Sequence, residues 1–205
     1  MSFARVRGPG HPDQVCDLVA AGIVEEYLRR DPQSRLNIRV AGGRGVLFLA
    51  GDLLSSADFD VASVVKRIVA NCGQTTPIEP FIAFESMLPG LGPAVGTREP
   101  ISVMGYATNE TEELIPRSVA FAREIAHELE RLRTTDEQWY WLGSDYEVIV
   151  ESAGIKKLPI IMIRAEHLET KALSDVRKEI TEWIQAKNVK DVRVNIAGEE
   201  VQASL

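Results

Sequence analysis

Apolar residues recur four apart at Val15, Val19, Ile23 and Tyr27, the spacing of one buried stripe along a helix. Pro12 suits the first turn, where its missing N–H is no loss, so this helix is predicted to begin at about His11. Asp31-Pro32-Gln33-Ser34 then marks a turn. Leu36, Ile38 and Val40 alternate with Arg35, Asn37 and Arg39, as a half-buried strand requires. Ala41 to Gly45 supplies a reversal, and the apolar run Val46 to Ala50 suits the partner strand of a hairpin, ending at Gly51-Asp52. Ser55 to Asp60 leads into a second helix, in which Val61, Val64, Val65, Ile68 and Val69 occupy one face. The first unit is thus helix, hairpin, helix.

Residues 73 to 104 carry five prolines and four glycines, a density that forbids regular structure over most of the span; only Phe81 to Phe84 suits a short strand. A loop of that length is expected to be an active-site lid or an irregular crossover. The second half then repeats the first. Pro116 opens a helix with Val119, Ala122, Ile125, Ala126, Leu129 and Leu132 on its buried face. Tyr146 to Glu151 and Leu158 to Arg164 form a hairpin; Val176, Ile180, Trp183 and Ile184 stripe a last helix; and Val192 to Ile196 makes a final strand. The predicted class is α+β, with two αββα-like repeats whose sheets pack inward and whose helices lie outside. The expected divisions are 1–75 for the first repeat, 76–104 for the loop and 105–205 for the second repeat.

Composition narrows the setting. No apolar run in the 205 residues reaches membrane-spanning length, and Met1 to Arg7 lacks the apolar stretch of a signal peptide, so a soluble, cytoplasmic protein is expected. A net charge of −7 with scattered basic residues argues against a nucleic-acid partner. Cys16 and Cys72 fall on apolar helix faces without metal-ligand spacing and are expected to be buried thiols.

The chemistry concentrates at Gly10 to Asp17. A helix N-terminus is a natural seat for phosphate. Asp13 at that same end would repel phosphate unless a divalent cation lay between them, so His11, Asp13 and the helix end together suggest a metal–polyphosphate site. The alternative stays open: an acidic residue in a first helical turn complements the dipole, and His11 would then be an ordinary surface residue.

Gly10-His11-Pro12-Asp13, followed by Val15-Cys16-Asp17, resembles the opening motif of methionine adenosyltransferases (S-adenosylmethionine synthetases). Gly105-Tyr106-Ala107-Thr108-Asn109-Glu110-Thr111-Glu112-Glu113-Leu114 resembles a second motif of that family, in the family's order. The resemblance implies formation of S-adenosylmethionine from ATP and methionine with release of triphosphate products, or action on a related nucleotide substrate, with magnesium, at a site on a homodimer interface. His11 takes the place of the family's histidine at the triphosphate, and Asp13 that of a magnesium ligand. Asp52 falls where the family has a glutamate for the methionine amino group. Glu99 falls at a substrate-binding aspartate, and Asp145 at an aspartate near the nucleotide. Arg39 replaces a glutamate that binds a monovalent cation, so potassium should not be required.

Other positions depart from the family. Gln14 replaces its usual lysine, and the catalytic lysine expected just past Asp145 has no counterpart in Tyr146-Glu147-Val148, although Lys156 and Lys157 lie on the next turn. The resemblance runs from about residue 10 to about residue 196 and stops where the family begins its third repeat, so the chain resembles a truncated form. Each lost preorganised donor costs roughly 3 to 4 kcal/mol of transition-state stabilisation. A binding or regulatory module that holds nucleotide, S-adenosylmethionine or a full-length relative is therefore the alternative to an enzyme, and a triphosphatase is a third reading.

Overall fold

The computed structural model describes residues 2–43, 45–74, 77–86, 102–152, 159–187, 189 and 191–194. The chain divides into two compact units, one of Pro12–Gly105 and one that joins Met1–His11 to the second half from Tyr106.

In the first of these, α1 (Pro12–Arg30) turns Val15, Val19, Ile23 and Tyr27 into the core, as their spacing requires. Strands β2 (Arg35–Gly43) and β3 (Val46–Leu54) pair antiparallel from Arg35↔Leu54 to Gly43↔Val46. The partner strand is longer than its apolar run: Gly51 and Asp52 lie inside β3 rather than closing it. Backbone pairing with β2 carries it past the last apolar residue, and Gly51 permits this because a Cβ there would lie 2.0 Å from the Asn37 carbonyl oxygen. Helix α2 (Val61–Asn71) starts on Asp60, whose carboxylate accepts from the Ser63 N–H at 3.2 Å. It returns the chain to β4 (Glu79–Ser86), which runs parallel to β3.

The order is β2-β3-β4. Leu47 and Leu49 are buried with the apolar faces of α1 and α2, while the alternate residue Phe48 is exposed and stacks on Phe81 at 5.2 Å between ring centres. One sheet face is therefore covered by helices, and among the described residues no helix of this unit covers the other. Strand β4 takes in the short strand expected at Phe81 to Phe84 and extends it on both sides, so Glu79–Ser86 of the loop span drawn over 76–104 is strand. Pairing to β3 organises Glu79–Ser86 despite Pro80, an edge position where a missing N–H is tolerated. Of the proposed lid, residues 87–101 lie outside the described residues.

The second unit repeats this course. Helix α3 (Arg117–Thr135) buries Ala122, Ile125, Ala126, Leu129 and Leu132. A 3₁₀ turn at Glu137–Trp139 leads to β5 (Leu142–Ser152), which pairs antiparallel with β6 (Ile160–His167). Helix α4 (Leu173–Gln185) then leads to β7 (Asp191–Val194), parallel to β6. Both units are thus α-β-β-α-β, one strand more than the αββα expected of the first.

The second sheet has a fourth strand that the sequence pattern did not reveal. β1 (Ser2–Arg7) pairs antiparallel with β5, giving the order β1-β5-β6-β7. The division at 1–75 is corrected accordingly: residues 1–11 build onto the second repeat. Ala4, Val148, Val150, Ile161, Ile163, Val176, Ile180 and Ile184 belong to its core. Cys72 is buried, whereas Cys16 is only half-buried, and neither is joined in a disulfide. Among the described residues, no helix is long and apolar enough to cross a membrane.

Ile23 and Leu129 are fully buried, one in each core. Truncating either to alanine is expected to destabilise the protein by about 2 to 5 kcal/mol, read from the denaturant midpoint in equilibrium unfolding.

Candidate functional site

The β1–β5 pairing does not stop at Arg7. Gly8 donates its N–H to the Tyr146 carbonyl at 2.6 Å, and Gly10 donates to that of Ser144 at 3.0 Å. The His11 N–H closes back on the Gly8 carbonyl at 3.1 Å, just before Pro12 opens α1. Gly10 is needed here by close approach, since a Cβ would stand 2.1 Å from the Ser144 Oγ. The glycine before the histidine therefore acts as a spacer that lets the backbone follow β5 as far as Ser144, one residue before His11. Asp13 is exposed in the first turn of α1.

Asp145 is not a turn residue, the plain alternative to a nucleotide-side role. It lies in β5, within the irregular register between Leu142 and Tyr146, and is 7% exposed. Its backbone N–H donates to Glu166 Oε2 at 3.2 Å. Burial pushes its carboxyl up to about 6, with Glu166 adding to the rise and Arg164 opposing it.

Two positions further on stands Glu147, which the sequence reading marked only as the place where a lysine was missing. It is 4% exposed. Arg5 Nε lies 3.2 Å and Arg7 Nε 3.5 Å from its Oε1, and Arg164 Nη1 lies 3.4 Å from its Oε2. The available signal was the alternation Phe3-Ala4-Arg5-Val6-Arg7, which matches a strand with one charged face.

In the other unit, Arg39 and Asp52 meet on the face of β2-β3-β4 opposite its helices. Asn37 pairs across from Asp52, and Arg39 from Ala50. With Ala83 and Glu85 of β4 they line an open cavity of about 420 Å³. Glu85 was missed because it lies one residue beyond the apolar run Phe81 to Phe84 that marked the strand. Glu99 lies outside the described residues, as do Lys156 and Lys157.

The Gly105–Leu114 string forms an ordered entry to α3 from Thr108 onward. Thr108 N–H donates to the Leu114 carbonyl at 3.0 Å, and the Glu110 carboxylate accepts from Thr108 Oγ1 at 3.3 Å and from the Arg117 N–H at 3.0 Å. Glu110 thereby satisfies a first-turn donor of a helix whose N-cap residue, Pro116, offers no side-chain hydrogen bond.

Among the described residues, no group of three or more His, Cys, Asp or Glu side chains is placed to hold a metal ion. Magnesium makes a smaller demand, commonly one or two carboxylates together with substrate phosphates. Asp13 fits that demand as a single exposed carboxylate at a helix N-terminus.

The sequence matches two family models end to end. Residues 4–86 match the S-adenosylmethionine synthetase N-terminal domain, and residues 94–202 match the central domain of the same enzyme. The chain belongs to the S-adenosylmethionine synthetase family. Proteins named S-adenosylmethionine synthase are similar to it at low identity. That of Trichormus variabilis is 26% identical over 212 residues, covering 89% of this chain and 50% of the relative. That of Chlorobium phaeobacteroides is 25% identical over 222 residues, covering 96% and 54%. That of Gloeothece citriformis is 27% identical over 190 residues, covering 78% and 46%. The chain spans about half the length of the curated relatives it matches. Within the synthetase family frame, the N-terminal match takes in both β1 and the first α-β-β-α-β unit, and the central match takes in the second.

Two outcomes test this geometry. Gly10→Ala should displace His11 and loosen the β1–β5 edge, lowering the melting temperature and shifting the His11 imidazole resonances in NMR. Asp145 binds its proton more tightly folded than unfolded, so its contribution to stability declines as pH rises from about 4, near its ordinary value, to about 6. Asp145→Asn should therefore raise stability above pH 7 by roughly 1 to 2 kcal/mol after solvent screening, with no gain below pH 4. Thermal melts across that range read the difference.

Proposed function

We propose that this chain performs the adenosyl transfer of its family. The methionine sulfur attacks the ribose C5′ of ATP, the C5′–oxygen bond breaks, and its electron pair leaves with the triphosphate. The observation that carries the reading is the Gly10–Ser144 hydrogen bond, which ends the ladder with β5 one residue before His11 and beside the neighbour of buried Asp145. His11 stabilises charge on the departing triphosphate, Asp13 supplies the protein ligand to magnesium, and Asp145 contacts the nucleotide. Asp52 holds the methionine amino group. Arg39, beside it on the same sheet face, supplies a fixed positive charge, so potassium is dispensable. Glu99 completes the substrate contacts. The active assembly is a homodimer with the site at the subunit interface, working in the cytoplasm. Bound magnesium would neutralise charge developing on the triphosphate.

Buried Glu147 favours a second reading. A carboxylate clasped by arginines stands two residues beyond Asp145, where the family resemblance expects a catalytic lysine. On that reading the chain binds nucleotide or S-adenosylmethionine without turnover, or partners a full-length synthetase.

Incubation with ATP, methionine and magnesium, with products separated by chromatography, tests the choice. Transfer predicts S-adenosylmethionine in the absence of potassium, with His11→Ala and Asp52→Ala each lowering the rate at least a hundredfold. Phosphate release that does not depend on methionine would point to a triphosphatase. Absence of any product, with ATP binding retained, would leave the non-catalytic reading standing.

A further inference from the structure

At the seam between α1 and α2, three arginines converge on one carboxylate. Glu26 Oε2 accepts from Arg29 Nε at 3.1 Å, from Arg29 Nη2 at 2.8 Å and from Arg30 Nη1, and its Oε1 accepts from Arg67 Nη2 at 2.6 Å. Arg30 also lies over the Phe59 ring at 4.3 Å, and Phe59 in turn packs on Tyr27, so this guanidinium is held from a second side. The Glu26 side chain is 14% exposed, whereas those of Arg29 and Arg67 are 62% and 60% exposed. The carboxylate is thus the floor of the cluster and the guanidiniums its rim. Hydrogen bonds from Arg29, Arg67 and Arg30 hold the Glu26 carboxyl down to about 2, so the floor keeps its negative charge through the ordinary pH range.

Local structure accounts for part of this. Arg29 and Arg30 complement the dipole at the end of α1, and a single bond from Arg67 would be enough to tie the two helices. Neither need calls for three cations on one anion in a chain whose net charge is −7. Among the described residues, Glu26 is the one carboxylate within 4 Å of any of the three guanidiniums. A carboxylate offers about four lone-pair sites, and Glu26 already takes four donors. Arg29 Nη1, Arg30 Nε and Nη2, and Arg67 Nε and Nη1 meet no acceptor among the described residues.

We propose that this rim is a binding site for a small phosphoanion free in solution, seated on the remaining donors of Arg29, Arg30 and Arg67 above Glu26. A guanidinium fork fits phosphate oxygens, and a phosphoryl group can present three oxygens to three forks where a monocarboxylate presents two. Glu26 gathers the guanidiniums and also competes with the ligand for them, so it sets an upper limit on affinity. The site is separate from the cavity assigned to substrate: α1 and α2 cover the sheet face that carries Leu47 and Leu49, whereas Arg39 and Asp52 stand on the opposite face. The inference therefore does not rest on the adenosyl-transfer reading.

Calorimetric titration of the full chain with pyrophosphate, at low ionic strength and without magnesium, tests it. Arg67→Ala and Arg29→Ala should each weaken binding at least tenfold, Arg67→Glu should abolish it, and Glu26→Gln should strengthen it severalfold. Binding should fall steeply with added salt, and acetate at matched ionic strength should not bind. A cluster that only ties α1 to α2 makes a different prediction: Glu26→Gln and Arg67→Ala would both lower the melting temperature and leave the titration unchanged. That result would overturn the proposal, as would no binding of pyrophosphate at millimolar concentration, binding that survives Arg67→Glu, or acetate binding as tight as that of pyrophosphate. Arg29 and Arg67 are exposed, so their variants remain decisive even if Glu26→Gln does not fold.

Discussion

The pairing of β1 with β5 is the constraint on which the rest depends. Six register pairs run from Ser2↔Ser152 to Arg7↔Glu147, and the bonds from Gly8 and Gly10 extend the ladder to the start of α1. Each backbone bond contributes only about 1 kcal/mol net, so the seam acts through its length and through the Ala4 and Val6 side chains it sets against the core. Its structural consequence is larger. The first residues of the chain become an edge strand of a sheet whose other members come from the second half.

The same seam brings charge inward. Arg5 and Arg7 arrive on one side of Glu147 and Arg164 on the other, which lets a carboxylate persist at 4% exposure. Desolvating an ion pair offsets much of its attraction, so such a cluster specifies an arrangement more than it adds stability. Removing one arginine would leave charge buried without its match. Close by, at Asp145, burial and Glu166 outweigh Arg164, and its proton is held more tightly. Two acidic residues two positions apart on one strand thus have different electrostatic surroundings, decided by which strands flank them.

The second sheet face shows a different design. Arg39, Asp52 and Glu85 stand among small residues, with the Phe48–Phe81 stack on the neighbouring stretch of the same sheet. Alanine at positions 50 and 83 keeps the centre of that face low, and the aromatic pair raises one end. A helix-free sheet with an apolar end and a charged end can take an amphipathic ligand or a second protein surface.

Periodicity alone determined much. The stripes of α1, α2, α3 and α4 and the two hairpins follow from spacings of four and two, because a chain must turn its apolar residues to one side to bury them. Gly10-His11-Pro12-Asp13 likewise announced its chemistry through residue types that few structural roles require together. Long-range pairing decided the rest. β1 has the alternation of a strand with one charged face, but nothing local names β5 as its partner, and β4 reaches back past its apolar run through Pro80 because parallel pairing to β3 holds it. Whether Glu147 is a solvated strand residue or the centre of an arginine cluster depends on residues 140 positions earlier in the chain and 17 positions later. No local pattern records such a neighbour, because burial and charge balance belong to surroundings that exist only once the sheet has formed.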